Sequence, residues 1–166
     1  MNTNEYPSFL VSVCMITYNH ESYIAEAIEG VVSQQVNFSL ELLISDDCST
    51  DQTKAICIAY QQKHPDIIRL IDRDQNLGMN LNFIDTLQRC KGKYIALCEG
   101  DDYWIATDKL QKQIDFLEKN QEFNICFHRA KLVYDVNNQK AYPNINSKTP
   151  IETTIYDLAR ENFIHT

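Results

Sequence analysis

The sequence predicts an α/β protein with a mostly parallel central sheet flanked by helices in three layers. Strand-like and helix-like segments alternate along the chain, which is typical of βαβ units joined by right-handed crossovers. The strand-like segments are apolar at nearly every position, as in a sheet covered on both faces. The chain has 166 residues, 44% of them hydrophobic. We therefore expect one globular domain with a sizeable core.

The first half of the chain predicts three strands and two helices. The strands are the apolar runs at 9–17, 40–45 and 66–71. Ile24, Ala27, Ile28, Val31 and Val32 follow helical spacing and predict the first helix. The capping-box pattern Ser49-x-x-Gln52 predicts that the second helix begins at Ser49 and runs to Gln62.

The second half continues the alternation and then becomes polar. Leu81, Ile84 and Leu87 predict a helix to Cys90, and Leu110, Ile114 and Leu117 predict another, capped by Thr107 or Asp108. Tyr94 to Cys98 predicts the fourth strand. Beyond these, the pattern predicts a strand at 124–136, a loop at 137–150 and a short helix at 155–161.

Composition excludes several classes of function. The net charge of −8 and the pI of about 4.9 argue against nucleic-acid binding and against a polybasic membrane patch. The N-terminus lacks a signal-peptide pattern, and no apolar run approaches the ~20 residues that span a bilayer. The six cysteines show no zinc-ligand spacing and predict small buried residues in a reducing cytoplasm. We expect a cytoplasmic protein without a transmembrane segment.

Polar clusters follow three of the predicted strands, at Thr17–His20, Asp46–Asp51 and Glu99–Asp102. Carboxyl ends of parallel strands share one edge, so we expect these clusters to lie together. The carboxylates that this edge gathers are Asp46, Asp47, Glu99, Asp101 and Asp102. Clustered carboxylates take up protons or a cation, and Mg²⁺ or Mn²⁺ prefers such oxygen ligands. Gly100 would let the backbone approach a metal-bridged phosphate ligand. The alternative is a solvated acidic turn.

Other ligand motifs are absent from the sequence. It contains neither a G-x-G-x-x-G fingerprint nor a Walker loop. The segment Asp72–Gly78 resembles a calcium loop, but Leu77 and Phe83 stand where that loop needs Gly and Glu. No catalytic triad can be identified. His20 stands at a strand end, where it either contacts a ligand or is simply exposed.

The three polar clusters, with the segments around them, resemble the motifs of family 2 glycosyltransferases, which have the GT-A fold. "VSVCMITYNHESYIAEAIEGVVSQ" resembles the opening strand and helix of the family, and "LLISDDCSTDQT" its second motif. "NLGMNLNFIDTLQRCKGKYIALCEGDDYW" is similar to the stretch that runs into its metal motif. The resemblance covers essentially the whole chain and is strongest from Val11 to about Leu117. In this order and spacing the three motifs are strongly specific.

The resemblance implies a nucleotide pocket. Thr17, Tyr18 and Asn19 would line the base, and Glu21 would reach the same pocket. Asp46 would accept a hydrogen bond from the base, with uracil N3–H as the expected donor, while Asp47 would support the turn.

Many members of the family carry an Arg after "NLG" that helps to hold the nucleotide. Here Asn82 and Phe83 stand near that place, and Asn76 or Asn80 would substitute in part.

The resemblance also implies a metal site. Glu99-x-Asp101 stands where the family carries D-x-D, so Asp101 would bind Mn²⁺ or Mg²⁺ directly. Glu99 would contact the ribose or the metal shell. Gly100 stands between Glu99 and Asp101 in the sequence and would border the same ligand. Asp102 would be a second metal ligand or would support the first. Trp104 would either wall the sugar or pack in the core.

The implied reaction is inverting transfer from a nucleotide-sugar, expected to be a UDP-sugar, to a hydroxyl of a saccharide or lipid-linked saccharide. By family habit the pathway would be cell-envelope polysaccharide synthesis, at the inner face of the membrane. Residues 8–120 would bind the donor, and 121–166 would begin the acceptor part of one GT-A-type domain.

The family's general base lies well beyond the metal motif. We therefore expect the base beyond Thr166, a truncated chain, and donor binding without efficient transfer.

Two other functions stay open on the sequence. A nucleotidyltransferase also uses an acidic rim, although the first loop, "TYNHES", lacks the Gly and basic residues that grip a triphosphate. A non-catalytic nucleotide-binding module is the other alternative. An exposed edge strand would also allow a homodimer.

Overall fold

A computed structural model of the protein describes residues 9–128, 130, 134–136, 139–141 and 153–154. The chain divides into two compact units, residues 1–119 and residues 120–166. In the described residues, no helix has the length and apolar character needed to cross a membrane.

The first unit alternates strands and helices throughout. Its elements are β1 (Val11–Thr17), α1 (Ile24–Val32), β2 (Leu40–Asp46), α2 (Thr53–Lys63), β3 (Ile68–Ile71), α3 (Met79–Arg89), β4 (Tyr94–Leu97) and α4 (Lys109–Lys119). The four strands form one parallel sheet in the order β3-β2-β1-β4. This arrangement confirms the predicted α/β fold with a parallel sheet.

Helices cover both faces of the sheet. Val13 and Leu42 join the main apolar core, to which α1, α2 and α4 contribute Ile28, Cys57 and Leu110. Helix α3 packs on β1 and β2 from the other face, since its crossover from β3 to β4 runs across the sheet in the opposite direction. The core therefore fixes β1 at the centre of the sheet, with its carboxyl end between β2 and β4.

The predicted start of the second helix is wrong. Helix α2 begins at Thr53 and not at Ser49, and Gln52 at its N-cap makes no side-chain capping bond. The Ser49 hydroxyl donates to Asp46 instead, and it accepts the Asn19 N–H. The hydrogen-bond partners of Ser49 thus hold it in the loop before the helix.

The third strand is shorter than predicted. β3 begins at Ile68, because the backbone N–H groups of Ile67 and Ile68 both donate to the His64 carbonyl and make a turn there.

The second unit contains the antiparallel strands β5 (Tyr134–Val136) and β6 (Gln139–Ala141). Residues 124–128 are irregular, so the strand predicted from 124 is wrong over that part. The loop predicted at 137–150 is wrong at β6, because pairing with β5 and not apolar pattern makes this segment a strand. The helix predicted at 155–161 lies outside the described residues.

Candidate functional site

Three chain segments meet at the carboxyl edge of the sheet, which we call the rim. The Asp47 N–H donates to the Thr17 carbonyl at 2.9 Å, and the Gly100 N–H donates to the Ile16 carbonyl at 3.0 Å. The ends of β2 and β4 therefore flank the end of β1 directly. The structure brings together the three polar clusters that the sequence placed at one edge.

The loops after β1 and β2 are joined by reciprocal hydrogen bonds. The Asn19 N–H donates to Ser49 Oγ at 2.9 Å, and the Thr50 N–H returns to Asn19 Oδ1 at 2.8 Å. The Glu21 N–H donates to Asp51 Oδ2 at 3.1 Å, and Glu21 Oε2 accepts the Gln52 N–H at 2.9 Å. Asn19 and Glu21 thus hold the two loops together as one wall, beside which Tyr18 is exposed.

Asp46 lies almost wholly buried at the end of β2, with 1% of its surface exposed. Its two carboxylate oxygens accept the backbone N–H and the hydroxyl of Ser49, the first at 3.2 Å. Burial, and then the charge of Asp46, raises the pKa of the Cys57 thiol on α2 to about 12. Asp46 is positioned by the turn that follows it.

Asp47 supports the turn before α3. Its carboxylate oxygens accept the N–H groups of Leu77 at 2.8 Å and Gly78 at 2.9 Å. The Asn76 amide donates to the Asp47 carbonyl at 2.9 Å and accepts the Gly78 N–H at 3.0 Å. Asn76 therefore lies beside the second rim cluster, engaged with the backbone.

Arg73 was not singled out from the sequence, yet it links β2 to α3. It donates to Ser45 Oγ at 3.0 Å and to Asn82 Oδ1 at 2.8 Å, and it pairs with Asp85 at 2.6 Å. Asn82 is buried in this network.

Gly100 is buried beyond the end of β4, beside the last residue of β1, Thr17. A Cβ added there would lie 2.5 Å from Thr17 Oγ1 and 3.0 Å from His20 Nδ1. Those same two atoms are buried and have no hydrogen-bond partner. A side chain at position 100 would therefore clash with both atoms, which explains why this position is glycine.

Three carboxylates surround Gly100, and we call Glu99, Asp101 and Asp102 the acidic tip. Burial, followed by the charges of Asp101 and Asp102, raises the pKa of Glu99. Burial and then Asp101 raise the pKa of Asp102. The Asp101 side chain is 49% exposed, with its Oδ2 3.8 Å from His20 Nε2. The acidic tip thus carries negative charge that its surroundings only partly offset.

The acidic tip fits a hard divalent cation by its donor chemistry, because carboxylate oxygens are the ligands that Mg²⁺ and Mn²⁺ prefer. Burial first, and the neighbouring carboxylates second, raise the pKa of Glu99 and of Asp102, and a bound cation would favour the charged forms of both. Among the residues described, no group of three or more His, Cys, Asp or Glu side chains is assembled around one point. The expectation that one cluster gathers all five carboxylates is therefore wrong for the described residues, because Asp46 bonds to Ser49 and Asp47 bonds to Leu77 and Gly78.

The segment after the acidic tip is anchored to α1. The Trp104 backbone crosses Gly30 so closely that an added Cβ would lie 2.8 Å from the Trp104 nitrogen. Gln34 donates to the Ala106 carbonyl at 2.8 Å and accepts the Leu110 N–H at 3.0 Å. Lys109 Nζ lies 3.5 Å from the centroid of the Trp104 ring. The ring itself packs against the apolar core, which favours the packing role for Trp104.

Solved structures that match this arrangement include a mannosyltransferase. The mannosyltransferase PcManGT from Pyrobaculum calidifontis, solved with GDP-Man and Mn²⁺, matches with a TM-score of 0.59 and 24% identity over 68% of this chain and 34% of its own. TarS from S. aureus, solved with UDP, matches with a TM-score of 0.58 and 27% identity over 67% of this chain and 32% of its own. The fold is therefore that of the GT-A glycosyltransferases.

The family follows from the sequence match. The family model described as glycosyl transferase family 2 matches residues 12–164, and the chain belongs to this family. The protein EpsE of Bacillus subtilis, named as a glycosyltransferase, is 37% identical over 125 residues, which cover 75% of this chain and 44% of EpsE. TuaG of the same organism, named for teichuronic acid biosynthesis, is 36% identical over 108 residues, 65% of this chain and 42% of TuaG.

A Mycobacterium tuberculosis protein without an assigned role is 38% identical over 157 residues, which are 94% of this chain and 45% of that protein. The chain thus spans less than half the length of these relatives.

Proposed function

We propose that this chain binds the donor of a metal-dependent, inverting glycosyltransferase that uses a nucleotide-sugar, with a UDP-sugar as the first candidate. The observation that carries the proposal is the acidic tip, which places three carboxylates at and beside Gly100 on the carboxyl edge of the sheet. A cation bound to a diphosphate would offset their charge. TarS, which is 28% identical, has been solved with UDP-GlcNAc, and this supports a UDP-sugar.

The residues divide into two groups by position. Thr17, Tyr18, Asn19, Glu21, Asp46 and Asn76 form the side proposed for the nucleotide. The loop wall keeps that side in shape through Asn19 and Glu21. Asp46 would accept a hydrogen bond from the base after its Ser49 contacts rearrange. Preformed loops lower the entropy cost of binding.

Asp101 and Asp102 are the proposed metal ligands, with Glu99 and Gly100 beside the ribose and diphosphate. When bound, Mn²⁺ or Mg²⁺ would offset the charge that develops on the departing nucleoside diphosphate. Asp101 is the most accessible carboxylate of the acidic tip, and buried Gly100 keeps the backbone free of a side chain there.

For the whole protein we propose transfer to a hydroxyl of a saccharide or lipid-linked saccharide, in cell-envelope polysaccharide synthesis at the cytoplasmic side of the membrane. The name of TuaG supports such a pathway. This chain spans less than half the length of EpsE and TuaG, and we propose that by itself it binds the donor without efficient transfer.

Calorimetry with UDP tests the proposal. We expect the chain to bind UDP at least about tenfold more tightly with Mn²⁺ than with a chelator, and Asp101→Asn to abolish that difference. Asp66→Asn is the matched control, because Asp66 is exposed and precedes β3 at the opposite edge of the sheet.

Binding that ignores both Mn²⁺ and Asp101→Asn would contradict the metal assignment and favour a non-catalytic nucleotide module. Tighter binding of UTP than of UDP-sugars would favour a nucleotidyltransferase.

A further inference from the structure

His20 occupies a fixed position between the first strand and the acidic tip. Its Nδ1 is buried against Gly100, where an added Cβ would lie 3.0 Å away. Its Nε2 lies 3.8 Å from Asp101 Oδ2. The ring meets Tyr23 edge-on, with centroids 6.5 Å apart and planes at 77°. The imidazole thus lies among Gly100, Asp101 and Tyr23.

The imidazole is a basic group within 4 Å of a carboxylate of the acidic tip. When protonated, His20 lowers the pKa of Glu99 and of Asp102, whereas the neighbouring carboxylates raise it. A separation of 3.8 Å is that of an ion pair and is longer than a hydrogen bond. With 49% of its side chain exposed, Asp101 keeps its oxygens available to a ligand.

We propose that His20 is a positioning residue, which orients the Asp101 carboxylate for a divalent cation bound to a nucleoside diphosphate. This inference rests on the proposed function of the acidic tip. His20 Nδ1 and Thr17 Oγ1 both lie beside Gly100, while His20 Nε2 lies 3.8 Å from Asp101 Oδ2, so one ring spans from the end of the first strand to the acidic tip. Groups that orient metal-binding side chains typically change metal affinity by about 10–100-fold when they are removed.

Two substitutions distinguish the contribution of the aromatic ring of His20 from that of its nitrogen atoms. His20→Phe keeps an aromatic ring against Tyr23 and removes both nitrogens, whereas His20→Gln keeps a hydrogen-bond donor. The readout is the ratio of UDP dissociation constants with chelator and with Mn²⁺, measured on the full chain beside its melting temperature. We expect His20→Phe to reduce this ratio by about tenfold, and His20→Gln to retain most of it.

His64→Phe is the control, because His64 lies at the end of α2, stacked on Tyr60, and also has a buried unpartnered ring nitrogen. An unchanged ratio in His20→Phe, or an equal loss in His20→Gln, would overturn the inference. If the unsubstituted chain shows no Mn²⁺ effect, the proposed function fails before His20 is tested.

A second measurement needs no substitution. The ¹⁵N chemical shifts of the imidazole rings depend on the surroundings of each ring. Mg²⁺ replaces Mn²⁺ in this measurement because Mg²⁺ is diamagnetic and does not broaden nearby resonances. We expect the His20 resonances to move when Mg²⁺ is added to the UDP-bound chain, while those of His64 stay in place. Unmoved His20 resonances at saturating Mg²⁺ and UDP would contradict the role in positioning Asp101.

Discussion

At the scale of single residues, the loop wall of the rim requires two left-handed backbone conformations. Asn19 has φ of 55° and Cys48 has φ of 64°. Asparagine tolerates this region well, and Asn19 also bonds to Thr50 through its side chain. Cysteine gains nothing comparable from its side chain, so Cys48 carries a conformational cost at the end of β2.

Replacing Cys48 should therefore stabilise the protein. We expect Cys48→Gly to raise the free energy of unfolding by about 1 kcal/mol, because glycine adopts positive φ without steric cost. Urea denaturation measures the change. Asn19→Gly is the control and should lower stability, since it removes the bond to Thr50. A Cys48→Gly protein no more stable than the parent would show that this φ imposes no strain.

At the scale of elements, α1 positions the segment that follows the acidic tip. Gly30 provides the space in which the Trp104 backbone crosses the helix, and Gln34 binds both Ala106 and Leu110. Glycine inside a helix normally costs about 1 kcal/mol relative to alanine. The close crossing explains why this position is nevertheless glycine.

Gly30→Ala should destabilise the protein in spite of its better helix propensity. The new Cβ would meet backbone atoms of Trp104 at 2.8 and 3.0 Å, and overpacking of this kind costs about 1–3 kcal/mol. Trp104 is the only tryptophan, so its fluorescence reports the displacement of the segment directly. Glu26→Ala on the exposed side of α1 should leave that emission spectrum unchanged. A stabilised Gly30→Ala protein with the parent spectrum would refute the crossing.

Helix α3 is attached to the sheet through charges. Arg73 donates to Ser45 and Asn82 and pairs with Asp85, which also bonds to Arg89. Arg89, and then Arg73, lower the pKa of the Asp85 carboxyl. A lowered folded-state pKa means that the unfolded chain binds more protons near the usual carboxyl pKa of about 4. Asp85 therefore stabilises the fold above that pH.

The pH dependence of Asp85→Asn follows from this sign. We expect the variant to melt below the parent at pH 7, and the difference to shrink as the pH falls through the lowered pKa of Asp85, below about 4. Melting curves from pH 7 to pH 2.5 measure it, with Asp115→Asn as control because Asp115 bonds to the neutral amide of Gln111. A difference that stays constant over this range would exclude the charge contribution.

At the scale of the whole molecule, the apolar pattern predicted the first unit well. Val11–Thr17 is apolar at nearly every position because this strand is covered on both faces. Ile24, Ala27 and Ile28 follow helical spacing because one side of α1 packs on the sheet. The start of α2 was not predictable in this way, because Ser49 bonds to Asp46 rather than to the helix. Strand β6 was missed because its pairing with β5 leaves no apolar signature.

The candidate site was predictable in location more than in contacts. Parallel topology alone places Thr17 and Asp101 at one rim. The loop-to-loop bonds of Asn19 and Glu21 depend on local backbone geometry that residue spacing does not encode. The approach of His20 to Asp101 required the close packing of Gly100 against β1.

The central claim is that the acidic tip binds a cation that holds a nucleoside diphosphate. Anomalous diffraction at the manganese edge, from crystals of the chain grown with Mn²⁺ and UDP, tests it most directly. We predict one manganese peak within about 2.5 Å of an Asp101 carboxylate oxygen, in contact with the diphosphate of UDP. Manganese bound to UDP but remote from Asp101, or UDP bound without manganese, would contradict the claim.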